Sequence, residues 1–155
     1  MTEDPKTLDQ RDAARLFSFF TEIGIINQLS MALFAKSLPD GVHPSHFSIL
    51  NHLVRTGDGI TPIRIAGAMQ VTKTTMTHSL KVLTERGFIT TGPNPEDARG
   101  KLVYLTEAGR AFRDAAIQSV VGMFGHLLEP EHYKIMEELG SGLEVLRKFL
   151  DENRM

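Results

Sequence analysis

Between Lys73 and Glu85 the chain carries lysines, an imidazole and short hydroxyls in a run with helical spacing. On a wheel of about 100° per residue, Met76, Leu80 and Leu83 fall on one side. Thr74, His78, Lys81 and Glu85 fall on the other, flanked by Lys73 and Thr77. Such side chains hydrogen-bond base edges and neutralise phosphates, and the start of the helix adds its own partial positive charge. Lys73, Thr74, Thr77, His78 and Lys81 are therefore candidate DNA contacts. An ordinary solvated face has the same composition, so the surrounding elements must decide between the two. One more candidate lies downstream. Arg99 ends a stretch rich in proline and glycine, and an arginine on a projecting hairpin suits the concentrated negative potential of a minor groove.

Other chemistries find less support. His43 and His46 stand three apart and could share an ion, with His52, His126 or His132 as remote third ligands. Neither cysteine nor a tight acidic cluster accompanies them, so no metal is expected, and a metal-responsive regulator using His43 and His46 is kept as an alternative. Gly57-Asp58-Gly59 begins like a dinucleotide fingerprint, but Pro62 stands where the third glycine belongs. No nucleophile elbow, phosphate loop or H-E-x-x-H is present. The chain contains no cysteine, which removes thiol nucleophiles and cysteine redox sensing. Neither an enzyme nor a bound cofactor is expected.

The elements that must position the basic face can be read from caps and periodicity. Thr7-Leu8-Asp9-Gln10 has capping-box spacing, and a helix is expected from Leu8 to Leu38, apolar around much of its circumference. Such a helix must be covered on two sides, by its own domain and a partner chain or by two layers of one fold. His43-Pro44-Ser45 opens a second helix with Phe47, Ile49, Leu50, Leu53 and Val54 as its core stripe. Thr61 caps a short third helix with Pro62 in its first turn. After the break Gln70-Val71-Thr72, a fourth runs from Lys73 to Arg86 and is stopped by Gly87. Two short helices across a three-residue turn make a helix-turn-helix.

Phe88 to Thr91 reads as a strand, Gly92 to Gly100 as a nine-residue loop, and Lys101 to Leu105 as the returning strand. Thr106 caps a long helix. Pro130 opens a last one in which Met136, Leu139, Leu143, Leu146 and Leu150 form a heptad seam that wants a partner helix. Gly140-Ser141-Gly142 within it argues for a kink or a close backbone approach.

Length and charge agree with this organisation. A chain of 155 residues, 41% apolar, is expected to form a single domain over residues 1–155 without staples. Residues 60 to 101 carry a net +3, from six basic and three acidic groups, against −5 for the remainder. No run of about 18 apolar residues is present, so no membrane span is expected. The first ten residues carry Glu3, Asp4 and Asp9 and no apolar leader, so a cytoplasmic location is expected.

At this point the chain resembles the MarR family of bacterial winged-helix transcriptional regulators. The resemblance is carried by Thr61-Pro62, Val71-Thr72-Lys73-Thr74-Thr75-Met76-Thr77, Leu83 through Ile89, Asp97-Ala98-Arg99 and Val103 through Gly109. In element order it extends over roughly residues 8 to 152. It implies a mainly α fold with a small β-hairpin wing, a DNA-binding lobe over residues 43–105, and dimerisation helices over 8–38 and 106–152. The homodimer would pair its terminal helices, and we expect Leu16, Phe20, Met136, Leu139, Leu143, Leu146 and Leu150 at the interface. By the same resemblance Asp97 would brace the wing and Arg99 would enter the minor groove. His78 stands where the family often has arginine, and Val82 where arginine or lysine is common. The implied partners are double-stranded DNA, a second copy of the chain, and a small aromatic or amphipathic effector. The effector would bind between the dimer-forming helices and the reading lobe, where Asn27, Gln28, Asn51, His52 and Arg55 are candidate lining. A helical protein-interaction module that does not bind DNA is the alternative.

Overall fold

The computed structural model describes residues 9–153. The elements run α1 (Gln10–Ser37), α2 (Pro44–Thr56), α3 (Pro62–Met69), α4 (Lys73–Glu85), β1 (Ile89–Asn94), β2 (Asp97–Leu105), α5 (Glu107–Gly125) and α6 (Pro130–Glu152). This is a mainly α protein with one antiparallel hairpin. The chain divides at Ala116 and Ile117 into two compact units.

The first unit holds the core. Ile49, Leu50 and Leu53 of α2, Ile65 and Ala66 of α3, Met76, Leu80 and Leu83 of α4, Ile89 of β1 and Val103 of β2 form one buried cluster. Local chemistry sets the elements that build it. The Thr61 hydroxyl accepts from the Arg64 N–H at 3.4 Å, and the Thr72 hydroxyl from the Thr75 N–H at 3.2 Å, so each helix of the helix-turn-helix starts on a threonine cap. Such caps each contribute about 1 kcal/mol. Between the two helices Gln70 takes a left-handed conformation, φ 53°, and its side-chain amide donates to the Gly67 carbonyl at 2.8 Å. Gly87 ends α4 with φ 72°, as its position after the helix requires.

The hairpin is seated from both sides. Ile60 bridges to Val103, with N–H to O distances of 2.8 Å from Gly59 and 2.9 Å back to Ile60. At its other end the Thr106 hydroxyl donates to the Gly87 carbonyl at 2.6 Å and accepts from the Gly109 N–H at 3.0 Å. Gly109 must be glycine, since a Cβ there would lie 2.0 Å from the Phe88 carbonyl oxygen. Phe88 stacks on Phe112 of α5 with ring centroids 4.4 Å apart.

Several details differ from the sequence-based expectation. Asp9 caps α1, its carboxylate accepting from the Arg11 N–H at 2.9 Å; the Thr7 and Leu8 positions of the expected capping box lie outside the described residues. The hairpin has no nine-residue loop. Its strands extend to Asn94 and from Asp97, leaving Pro95 and Glu96 at the turn, because the extra residues are taken up by a register shift after Pro93. Arg99 therefore sits on β2 close to the turn and not at the tip. Helix α6 runs unbroken through Gly140-Ser141-Gly142, and a Cβ at either glycine would meet nothing within 4 Å among the described residues.

One helix bears on the membrane expectation. Helix α1 is long and apolar enough to cross a bilayer by length and composition alone. Its polar interruptions between Leu16 and Phe34 are uncharged apart from Glu22, so no unbroken apolar run is needed. Within one chain this helix buries only Phe34, which packs edge-on against Phe47 at 4.6 Å. In the second unit, α6 buries no side chain at all.

Candidate nucleic-acid interface

Helix α4 owes its orientation to its buried stripe. Met76, Ser79, Leu80 and Leu83 are buried, which turns Lys73, Thr74, Thr77, His78 and Lys81 outward, all of them exposed. The five side chains named from the sequence thus share the exposed surface of one helix. Lys73 opens the helix, whose first turn contains no acid to neutralise it. The Thr77 hydroxyl donates to the Lys73 carbonyl at 2.9 Å, which leaves its oxygen free to accept. Lys81 meets Glu85 at 3.8 Å, but both side chains are well exposed, so the pair holds the lysine only weakly.

The hairpin supplies the second part. The Asp97 carboxylate accepts from the Arg99 N–H at 3.0 Å, and the Asn94 side-chain carbonyl from the Glu96 N–H at 3.1 Å. These two short-range bonds shape the turn and set the backbone that carries the Arg99 side chain. Arg99 itself is exposed.

Sequence reasoning missed what lies beneath this surface. His46 of α2 is only 3% exposed. Its Nδ1 accepts from the His43 N–H at 3.2 Å, closing the first turn of α2. Burial, with added repulsion from His43, His78 and Arg86, holds its pKa below the ordinary imidazole value. Arg86 in turn donates to the Asp40 carbonyl and so ties the end of α4 to the loop between α1 and α2. A histidine followed by phenylalanine and serine gives no signal of burial; only the proline at the helix start marks the neighbourhood as a capping position. Among the described residues no three His, Cys, Asp or Glu side chains gather to hold a metal ion. His43 and His46 are used instead in the start of α2.

Of the residues considered for an effector site, Asn51 is engaged by Arg113, which donates to its side-chain oxygen from Nε at 3.1 Å and Nη2 at 2.8 Å. The residues expected at a dimer interface, Leu16, Phe20, Met136, Leu139, Leu143, Leu146 and Leu150, are all solvent-exposed in the single chain.

Residues 40–100, which include the helix-turn-helix and most of the hairpin, match the family model described as MarR family. Solved structures resemble the chain over most of its length. A probable transcriptional regulator from Pseudomonas aeruginosa is 28% identical over 78% of this chain and 96% of its own, with a TM-score of 0.60. A cysteine-to-serine mutant of MarR from E. coli, complexed with operator DNA, is 25% identical over 88% of this chain and 99% of its own, with a TM-score of 0.61. CouR from Rhodococcus jostii RHA1, bound to p-coumaroyl-CoA, shares the fold at 23% identity, covering 80% of this chain and 87% of its own, with a TM-score of 0.63. No curated protein matches the chain. The matched residues 40–100 take in α4 and most of the hairpin, so the likeness falls on the unit that presents them.

Proposed function

We propose that this chain is a member of the MarR family and a ligand-responsive transcriptional regulator that binds a pseudo-palindromic operator as a homodimer, acting as a repressor. The observation that carries the reading is the outward face of α4, where two lysines, two threonines and a histidine stand together above a buried stripe. Arg99 on the hairpin adds a contact of the kind that minor grooves attract. Lys73, Thr74, Thr77, His78 and Lys81 would meet the major groove, with Asp97 bracing the wing. The operator-DNA complex of the E. coli protein supports the DNA-binding reading as a whole.

A single set of about half a dozen contacts gives mostly salt-sensitive, sequence-independent binding. A dimer doubles it, and paired helices about 34 Å apart fit half-sites one turn apart. The apolar surface for such a dimer is available: on α1 Phe17 is 76% and Ile26 62% exposed, and on α6 the whole seam from Met136 to Leu150 faces solvent. We assign both surfaces to a second copy of the chain, not to a bilayer. The fold of the solved relatives spans both helices, and the charges at Arg11, Asp12, Arg15 and Lys36 crowd both ends of α1. A cytoplasmic location and the absence of catalysis belong to the same reading.

The ligand response is supported by the p-coumaroyl-CoA complex of CouR. A small aromatic or amphipathic effector that changes the spacing of the two α4 helices would alter operator affinity by a factor of roughly 5 to 150. The test is selection of bound fragments from a random duplex library, followed by titration at several salt concentrations. The reading expects an enriched inverted repeat and a linear fall of log affinity with log salt. A chain that enriches no sequence and shows no salt dependence would instead be a protein-interaction module.

A further inference from the structure

An aromatic ring stands where the hairpin joins the body of the reading lobe, within the first unit. Strand β2 is the middle of three chain segments, pairing with β1 on one side and bridging through Val103 to Ile60 on the other. Side chains alternate across it. Val103 is buried, while Tyr104 is half-buried on the opposite face beside its pair Thr90. There the Tyr104 ring spans both neighbouring segments. A Cβ on Gly59, in the loop before α3, would lie 3.3 Å from its Cε1, and a Cβ on Gly92 of β1 would lie 3.2 Å from its Cε2. The two contacts come from opposite edges of one ring.

The two glycines have different reasons to be glycine. Gly59 has φ 75°, which favours glycine by itself. Gly92 has no such φ and stands inside a strand, where glycine forgoes side-chain packing and weakens the pairing. The Tyr104 ring supplies that missing cover, as an aromatic laid across a strand glycine does. Beneath the ring the backbone is pinned. The Gly59 N–H donates to the Val103 carbonyl at 2.8 Å, the Val103 N–H to the Ile60 carbonyl at 2.9 Å, and the Leu105 N–H to the Asp58 carboxylate at 3.2 Å. Such bonds fix register, but adjacent strands still twist against one another by anything from about 10° to 35°. The angle is left to the side chains.

We propose that Tyr104 is a positioning residue for the hairpin: its ring, wedged between Gly59 and Gly92, sets the angle of β1 and β2 on the lobe and with it the place of Arg99. Leverage gives the angle its importance. At about 3.3 Å per residue the strand from Tyr104 back to Arg99 spans roughly 17 Å, so a tilt of about 10° moves the arginine by about 3 Å. That is half the width of a minor groove of about 6 Å. The bond from Arg99 to the Asp97 carboxylate shapes the turn at the far end and does not correct an angle set at the base. The consequence for DNA rests on the proposed reading of Arg99 as a groove contact; the hairpin angle itself does not.

The test has two arms, both on the full chain. In the first, without DNA, N–H residual dipolar couplings are measured by NMR for the hairpin and for α4. Tyr104→Ala is expected to reorient the hairpin relative to α4, and Tyr104→Phe, which keeps the ring, to leave it in place. Gly92→Ala presses a methyl against the ring without removing it and is expected to reorient the hairpin as well, so this arm is decided even where Tyr104→Ala does not fold. In the second arm, affinity for the duplex selected from the random library is measured for Tyr104→Ala, Arg99→Ala and the double variant. Each single change is expected to weaken binding about tenfold. The double variant should bind no more weakly than Arg99→Ala, because the two changes remove the same contact. Tyr104→Phe should keep the full affinity. Hairpin couplings unchanged in both Tyr104→Ala and Gly92→Ala would overturn the proposal, and so would losses from Tyr104→Ala and Arg99→Ala that add independently. A hairpin that moves in the first arm of a chain that binds no duplex would sink the DNA reading and leave the positioning role standing.

Discussion

The reading lobe and the terminal helices handle apolar surface in opposite ways. In the lobe, α2, α3, α4 and the hairpin bury Leu50, Ile65, Leu83 and Val103 completely, and each element is closed by a cap or a turn of its own. Helices α1 and α6 leave leucines, isoleucines and phenylalanines in solvent along their length. Burial of such side chains is worth about 1.5 to 3 kcal/mol each, so surface of this extent calls for cover. The contrast teaches that the chain is complete as a scaffold for one α4 face and incomplete as a clamp on two. In the proposed dimer a second copy would supply both the missing cover and the missing face.

The sharpest way to break this comparison is to spoil the exposed seam. Leu143→Glu combined with Leu146→Glu should leave the lobe folded, turn the dimer into monomers by light scattering, and lower operator affinity by about 10²-fold or more, the scale on which linked sites reinforce one another. A variant that stays dimeric would place the seam outside the interface. The lobe can be attacked in the complementary way. In Gly109→Ala the new methyl collides with the Phe88 carbonyl, and the unfolding free energy should drop by about 1 to 3 kcal/mol, read as a lower denaturant midpoint. Oligomeric state before unfolding should be unchanged.

Smaller effects sharpen the assignment within the lobe. Arg99→Ala should weaken operator binding about tenfold and reduce the salt slope by about one, with dimerisation intact. Unchanged affinity in a gel-shift titration would remove the hairpin from the interface. Acid should act through His46. Its folded pKa is lowered, chiefly by burial and then by His43, His78 and Arg86, so the unfolded chain takes up a proton that the folded lobe resists. Stability is then full above the ordinary imidazole pKa of about 6.5 and declines as pH falls below it. Denaturation midpoints measured on either side of that value should show the decline, and His46→Gln should flatten it.

Much of the lobe is legible in the sequence because its signals are local. Thr61-Pro62 and Thr72 announce helix starts through caps that reach only three residues ahead, and Met76, Leu80 and Leu83 define a stripe at helical spacing. The orientation of the five α4 side chains follows from that stripe. What escapes is set by distant partners. Ser79 and His46 are polar types, and their burial depends on how α2 meets α4, which no local window contains. Gly92, Pro93 and Asn94 look like loop residues, whereas the pairing with Leu102, Lys101 and Asp97 keeps them in the sheet. In α1, scattered polar residues hide a segment apolar enough for a bilayer, because its average matters more than any unbroken run.

The most direct test of the central claim is the stoichiometry of the chain on its selected duplex, measured by analytical ultracentrifugation of the complex at low salt. Two copies on one inverted repeat, with a half-site duplex bound far more weakly, is the result the two-copy clamp requires. One copy per duplex, or equal affinity for the half-site and the full repeat, would contradict it.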